Sequence, residues 1–251
     1  NGLLHAGDHA DQVTWMDVLV GELPVTPRHG CPVELNALWY NALCIMEYLC
    51  RVFRMDATHY IELAERLKGT FHKAFWNPDR DCLYDVVVYD SNTDEFTYRD
   101  DSIRPNQLYA VSLPFSMLTT KTERSIVETV TKRLFVGTGI RTLSIDNPNY
   151  QGKYSKLADN RETAFHQGTA WSFLLGAYFS AYKKVNGSSK EARARLASLY
   201  DAIIDHMNEN CIGGICEIFD GDSPFTGGGC YNQAWSVGEI LRSYVEDVLT
   251  K

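Results

Sequence analysis

The chain is 251 residues long and 45% hydrophobic, material for one large core or two small ones, and it holds no long, polar, aromatic-poor stretch of the kind that stays disordered. A formal net charge of −8 without any local run of Lys and Arg excludes a phosphate backbone, so no nucleic-acid partner is expected. No apolar run approaches the roughly 18 residues that span a bilayer and the first residues carry no leader pattern, so no membrane partner is expected either.

In chain order, the apolar positions Leu35, Leu38, Trp39, Ala42, Leu43, Met46, Leu49 and Phe53 recur at helical spacing and predict a helix from Pro32 to about Arg54, with Pro32 suited to its first turn. Asp56 is the expected N-cap of a second helix through Tyr60, Leu63, Leu67, Phe71 and Phe75, stopped by Asn77-Pro78, and the two form a hairpin. Cys82 to Tyr89 reads as a short strand within a long insertion. A shorter helix follows Arg104-Pro105, another covers about Thr122 to Phe135 and ends at Gly137-Thr138-Gly139, and helices at about His166 to Asn186 and Lys190 to Asn210 form a second hairpin broken by Gly187. The last helix spans about Asn232 to Leu249. Helical hairpins joined alternately by short turns and long loops are the layout of an all-α, α/α toroid with its long loops at one end; a plain helical bundle is the alternative. A toroid of six hairpins needs about twelve helices and about seven are read here. The chain opens at Asn1 directly into residues that look functional. The expectation is therefore a single domain over 1–251 that is the C-terminal portion of a toroid, its N-terminal helices absent.

Aromatics make up 12% of the chain and crowd together with acids and amides, a mixture suited to neutral, hydroxyl-rich ligands. The first such loop holds Trp15 and Asp17, then Arg28, and runs into Asn36, Trp39 and Tyr40. Asp17 follows an aromatic at the head of a loop, where partial burial would raise a carboxyl pKa toward that of a general acid; an N-capping or surface aspartate is the alternative. The second group is Arg104, Asn106 and Gln107 with His166, Gln167 and Trp171, polar groups for sugar hydroxyls beside an aromatic face, or else loop braces and helix caps. Gly168, early in a predicted helix, is expected to let two helices approach closely. The third loop holds Glu217 between apolar residues, Asp220 and Asp222 as hydroxyl binders or braces, and Trp235. Hydrolysis of a glycosidic bond needs a carboxylic acid to protonate the leaving oxygen and a carboxylate acting opposite it, and Asp17 and Glu217 are the candidates. Only a fold that brings their loops to one end can pair them.

No metal or cofactor is expected. His5, Asp8 and His9 lack a third ligand at a specified spacing, Asp220-Gly221-Asp222 lacks the remaining acids of a calcium loop, and no Gly-Lys-Ser/Thr follows the glycines at 227–229. The seven cysteines, Cys31, Cys44, Cys50, Cys82, Cys211, Cys216 and Cys230, are an odd number without a CxxC and read as buried free thiols in a reducing, cytoplasmic setting.

Beyond this generic logic, Thr14-Trp15-Met16-Asp17, Thr26-Pro27-Arg28, Pro32-Val33-Glu34-Leu35-Asn36 with Trp39-Tyr40-Asn41, Arg104-Pro105-Asn106-Gln107, His166-Gln167-Gly168-Thr169-Ala170-Trp171, Glu217-Ile218-Phe219-Asp220-Gly221-Asp222 and Gln233-Ala234-Trp235-Ser236 stand in the order found in the C-terminal amylo-α-1,6-glucosidase family of glycogen debranching enzymes. The resemblance runs to about Arg242. It implies an (α/α)6 barrel similar to glucoamylase that releases glucose from α-1,6 branch stubs of α-glucans with inversion and without a cofactor. Asp17 would be general acid and Glu217 general base, about 6.5 to 9.5 Å apart. An oligosaccharide or branched α-glucan is the implied substrate, and the absent helices would come from the protein's own N-terminal half or another copy. Where the family often has Asp after the Arg that precedes His-Gln-Gly, this chain has Glu162. A trehalase-like or glucoamylase-like toroid of other linkage preference, or a non-catalytic α-glucan-binding module, are the competing readings.

Overall fold

The first long apolar period folds as expected: helix α1 covers Val33–Val52 and buries Val33, Ala37, Tyr40 and Leu43 along one face. Pro32 stands just outside it rather than in its first turn. Its φ of −68° and ψ of 141° are extended, and it pairs with Val86, a position that asks no N–H of it. Helix α2 spans Thr58–Phe75 and turns Leu67, Phe71 and Phe75 onto α1, each such side chain contributing about 1.5–3 kcal/mol on leaving water. Asp56 caps it from two residues ahead, accepting from the Thr58 amide at 2.9 Å and hydroxyl at 2.6 Å.

This is a computed structural model, and it describes residues 1–8, 11–154, 158–209 and 212–250, of 158–160 the main chain only. His9, Asn210 and Cys211, which entered the metal, helix-end and thiol expectations, lie outside the described residues. A 3-10 turn at Pro105–Leu108 leads into α3 (Tyr109–Ser112), followed by α4 (Thr120–Arg133), α5 (Ala158–Ala164), α6 (Leu174–Asn186), α7 (Lys190–Ser198), α8 (Asp201–His206) and α9 (Ala234–Ser243), which continues as a wide turn over Tyr244–Leu249. Helices α1, α3, α6 and α9 lie side by side in that order, and α2, α4 and α7 pack against this row. Two layers of helical hairpins built this way form an arc of an α toroid.

The stretch read as one helix from His166 is instead a turn and a two-residue strand before α6. Gly168 has a φ of +152°, which side chains rarely adopt, and a Cβ there would stand 2.5 Å from Gln151 O. The glycine therefore serves a crossing of loops, not of helices, tied by Gln151 N to Gln167 O at 2.6 Å.

All-α is an approximation, because the loops carry small sheets. Strands β1 (Leu19–Val20) and β2 (Leu23–Pro24) form a hairpin, as do β4 (Trp76–Asn77) and β5 (Cys82–Leu83). Strand β3 (Cys31–Pro32) joins β6 (Val86–Asp90) and β7 (Glu95–Arg99), so the expected single strand from Cys82 to Tyr89 is two, with a hairpin partner the apolar pattern does not mark. The sheet that matters for the site has the order β11 (Gly227–Gly228), β10 (Ile218–Phe219), β9 (Ala170–Trp171), β8 (Ile140–Arg141), with Ile218 opposite both Gly228 and Trp171.

Of the described cysteines, Cys31, Cys50, Cys82 and Cys216 are buried, whereas Cys44 is half-buried and Cys230 exposed. No described helix is long and apolar enough to cross a membrane. On the other side of α1, Tyr48, Val52 and Phe53 are exposed among the described residues, and so are Leu241, Val245 and Leu249 near the end of the chain.

Candidate active site

Behind the site lies a buried ionic network centred on Arg28. Its Nε donates to Asp85 Oδ2 at 2.7 Å and its Nη2 to Asp85 Oδ1 at 3.1 Å, while Nη2 also reaches Glu34 Oε2 at 2.7 Å and Nη1 pairs with Glu34 Oε1. Asn106 Nδ2 donates to Asp85 Oδ1 at 2.8 Å, and Arg104 Nε lies 3.8 Å from Asp85 Oδ2. Two guanidiniums thus balance two carboxylates, which is how all four can sit at 2% to 5% exposure. Burial alone would ease the proton off Arg28, but Asp85 and Glu34 outweigh it and hold the guanidinium charged. At Arg104 burial dominates and the pKa is lowered.

The same residues lash the loops together. Arg104 donates through Nη1 to Thr142 O at 3.0 Å and His166 O at 2.8 Å, and through Nη2 to Gln167 Oε1 at 2.9 Å. Gln167 Nε2 in turn donates to Val25 O at 3.1 Å. Gln107 accepts from Leu83 N at 3.0 Å and donates to Arg104 O at 2.9 Å, and Asn36 accepts from Leu4 N at 2.8 Å while donating to Leu4 O at 3.1 Å and Pro32 O at 2.9 Å. Arg28, Asn36, Arg104, Asn106, Gln107 and Gln167 are therefore buried, with their hydrogen bonds directed at the protein itself.

On this base stands an aromatic platform. Trp171, 2% exposed and donating Nε1–H to Phe165 O at 2.9 Å, stacks against His166 with centroids 5.2 Å apart and planes at 20°. Trp15 meets His166, Trp171 and Phe173 edge-on at 5.1, 5.2 and 5.1 Å, and its Nε1 donates to Asn106 Oδ1 at 2.8 Å, which couples platform to network. Trp235 lies flat on Phe173 at 4.4 Å and keeps 38% of its surface exposed. His166 is fully buried, and among the described residues neither ring nitrogen has a hydrogen-bond partner. Burial first, then the Arg104 and Arg28 charges, push its pKa down to about 3. Its Nε2 lies 3.9 Å from Asp17 Oδ1. The Asp17 side chain is 65% exposed, so the partial burial expected for it is not found; the loop before β1 holds it at the surface.

Glu217 stands one residue before β10. Its N donates to Cys230 O at 2.8 Å, and the Ser172 hydroxyl donates to Cys216 O at 2.6 Å and lies 3.2 Å from Glu217 O. The carboxylate is oriented by Cys230 N at 3.0 Å and Gln233 Nε2 at 3.3 Å. Gly229, at φ +68°, is required here, since a Cβ would come within 2.5 Å of Glu217 Oε2. Glu217 lines a cleft of about 790 Å³ together with Tyr154 and Arg161. The Tyr154 ring lies 5.7 Å from Phe165 and Phe165 lies 5.1 Å from His166, so a chain of ring contacts connects the Glu217 cleft to the buried imidazole near Asp17.

Asp220 accepts from Tyr154 N at 2.8 Å and Lys153 Nζ at 3.2 Å, and Asp222 accepts from the Tyr150 hydroxyl at 2.9 Å; both brace the loop at 150–154, and Asp220 also lines the cleft. Trp39 is half-buried on α1, Tyr40 is nearly enclosed there with its phenol pushed up to about 12 by burial first and Cys44 next, and neither makes a ring contact with the platform among the described residues. Sequence reasoning missed Asp85. Its signal was the one that marked Glu217, an acid flanked by apolar residues, here Tyr84 and Val86. Tyr154 carried no such signal.

The family model for amylo-α-1,6-glucosidase matches residues 1–242. Glycogen debranching enzyme of Saccharomyces cerevisiae is 25% identical across 98% of this chain and 19% of its own length, so the chain spans about a fifth of that curated relative. Among solved structures, mannosylglycerate hydrolase from Thermus thermophilus in complex with glucose aligns at a TM-score of 0.60 and 13% identity, covering 86% of this chain and 48% of that one. Neutral trehalase from Saccharomyces cerevisiae aligns at 0.61 and 12%, covering 85% and 37%. At these identities the shared property is the fold, the α toroid of these glycosidases.

Proposed function

The chain belongs to the amylo-α-1,6-glucosidase family, and from that premise we propose that it is the catalytic end of an inverting glycoside hydrolase that releases glucose from the α-1,6 branch stubs of glycogen-like α-glucans. Asp17 protonates the glycosidic oxygen as the bond to the anomeric carbon breaks. Glu217 takes a proton from water attacking the opposite face, so that the configuration inverts and no cofactor is needed. The observation that supports this most is the chain of ring contacts that connects the Glu217 cleft through Tyr154 and Phe165 to the imidazole 3.9 Å from Asp17. Glu217, fixed by a main-chain N–H and an amide, suits a base held in one orientation. Asp17, exposed at the head of its loop, suits an acid that must reach a leaving glucan chain. Trp15 and Trp235 present ring surface to the sugar, Asp220 lines the cleft, and His166, Trp171 and Asp222 support the site from beneath the surface. Arg28, Asn36, Arg104, Asn106, Gln107 and Gln167 act by positioning these groups.

The exposed apolar faces of α1 and of the chain's last turns support packing of further helices there to complete an (α/α)6 barrel, from the protein's own N-terminal half or another copy. The buried thiols support a reducing, cytoplasmic setting.

In the intact protein, Asp17→Asn and Glu217→Gln should each lower glucose release from an isomaltosyl stub by at least about 10²-fold, and proton NMR should detect β-glucose first. Near-normal turnover in either variant, or α-glucose first, overturns the roles. Preference for maltosyl over isomaltosyl substrates would favour a glucoamylase-like enzyme, and binding without turnover a glucan-binding module.

A further inference from the structure

His166 is expected, from its residue type and loop, to touch a sugar hydroxyl, but it is fully buried and no part of its imidazole reaches the cleft surface. What it does face is Asp17. We propose that His166 is the positioning residue of the general acid: its uncharged imidazole donates Nε2–H to Asp17 Oδ1, leaving Oδ2 to carry the proton that the glycosidic oxygen receives. The inference rests on the reading of Asp17 as that acid.

The ring cannot turn away. It is stacked on Trp171, met edge-on by Trp15 and Phe165, and its own carbonyl is held by Arg104 at 2.8 Å. Around it nearly every buried polar group of Arg28, Arg104, Asn106 and Gln167 has a partner, whereas both imidazole nitrogens lack one among the described residues. A buried donor without an acceptor is costly, and the Asp17 carboxylate, on an exposed side chain, has Oδ1 3.9 Å from Nε2. A hydrogen bond between them gives an exposed carboxyl on a surface loop a single orientation, which an acid catalyst requires.

The imidazole must be neutral for this to help. A cationic ring would hold Asp17 as carboxylate and remove the proton it has to deliver. The charged groups that face His166 are Asp17 on one side and Arg104 and Arg28 on the other, with Asp85 and Glu34 behind the guanidiniums. Burial and the two guanidiniums disfavour a second positive charge between them.

The test compares His166→Phe, which keeps the aromatic packing and removes the donor, with His166→Gln, whose Nε2 can stand where the imidazole Nε2 stands, both in the intact protein. His166→Phe should lower kcat about tenfold to hundredfold, the loss expected of one hydrogen bond to a charged group, with KM nearly constant. It should also shift the basic limb of the kcat profile upward, because a donor that favours the Asp17 carboxylate is gone, and His166→Gln should recover most of kcat. A raised KM with unchanged kcat, or an unmoved basic limb in folded His166→Phe, overturns the proposal in favour of sugar binding or packing alone. Should His166→Phe fail to fold, nitrogen NMR of the wild-type imidazole decides: a neutral Nε2–H tautomer near pH 6 upholds it, an Nδ1–H tautomer or an imidazolium overturns it. Retained activity in Asp17→Asn sinks the reading of the acid itself. An inactive Asp17→Asn beside an unaffected His166→Phe sinks this inference alone.

Discussion

Asp85 grips Arg28 with both carboxylate oxygens, Oδ2 on Nε at 2.7 Å and Oδ1 on Nη2 at 3.1 Å, and so ties the residue just before strand β6 to the loop that leads into α1. Because the buried network balances two guanidiniums with two carboxylates, removing Asp85 leaves Arg28 and Arg104 with Glu34 alone, one buried positive charge in excess. Asp85→Ala should therefore destabilise the fold by about 3–5 kcal/mol, read as a lower midpoint in urea. A loss near that of a surface substitution, about 0.5 kcal/mol, contradicts the network as described.

Gly168 and Gly187 both have positive φ, +152° and +80°, but a Cβ at Gly168 meets Gln151 O at 2.5 Å whereas one at Gly187 meets nothing within 4 Å. Alanine at Gly187, at φ 80° and ψ −171°, should cost only the backbone term of about 1–3 kcal/mol. Gly168→Ala should cost clearly more, about 3 kcal/mol or above, since two main chains must separate. It should also lower turnover, because the displaced segment carries His166 and Gln167. Equal costs at the two glycines in denaturant titrations speak against the crossing.

The pKa of His166 in the folded protein, about 3, is below its ordinary 6.5. Between those values the unfolded chain binds a proton that the folded chain refuses, so the stability from burying a neutral ring is complete above pH 6.5 and is lost as pH falls toward 3. His166→Gln should flatten the acid slope of unfolding free energy by up to about 1.4 kcal/mol per pH unit in that window. Superimposable slopes for variant and wild type rule the buried neutral histidine out as their source.

How legible all this is in the amino-acid order differs by residue, for physical reasons. Helices α1, α2, α4 and α9 are marked by apolar residues at helical spacing, and their ends by Asp56, Gly137 and Asn77-Pro78. The turn at 166–169 and strand β9 are not, because what breaks the helix is Gln151 crossing Gly168, a contact between separate loops. The acids and aromatics of the site are visible as types. Whether a loop polar group faces ligand or another loop is not, since Asn36 or Arg104 has the same chemistry for a sugar hydroxyl as for the carbonyls of Pro32 or Thr142. Asp85 and Glu217 share one local pattern, an acid among apolar neighbours, and only the fold gives Asp85 an arginine and Glu217 a cleft.

The central claim is that Asp17 and Glu217 work on opposite faces of one glucosyl ring. A crystal structure of the intact protein with a glucose-mimicking inhibitor measures it directly. The account predicts the two carboxyl groups flanking the anomeric position about 6.5–9.5 Å apart, with His166 Nε2 within hydrogen-bond reach of Asp17. A separation near 5–5.5 Å would point to a covalent intermediate and retention instead, and an inhibitor seated away from either acid would contradict the account altogether.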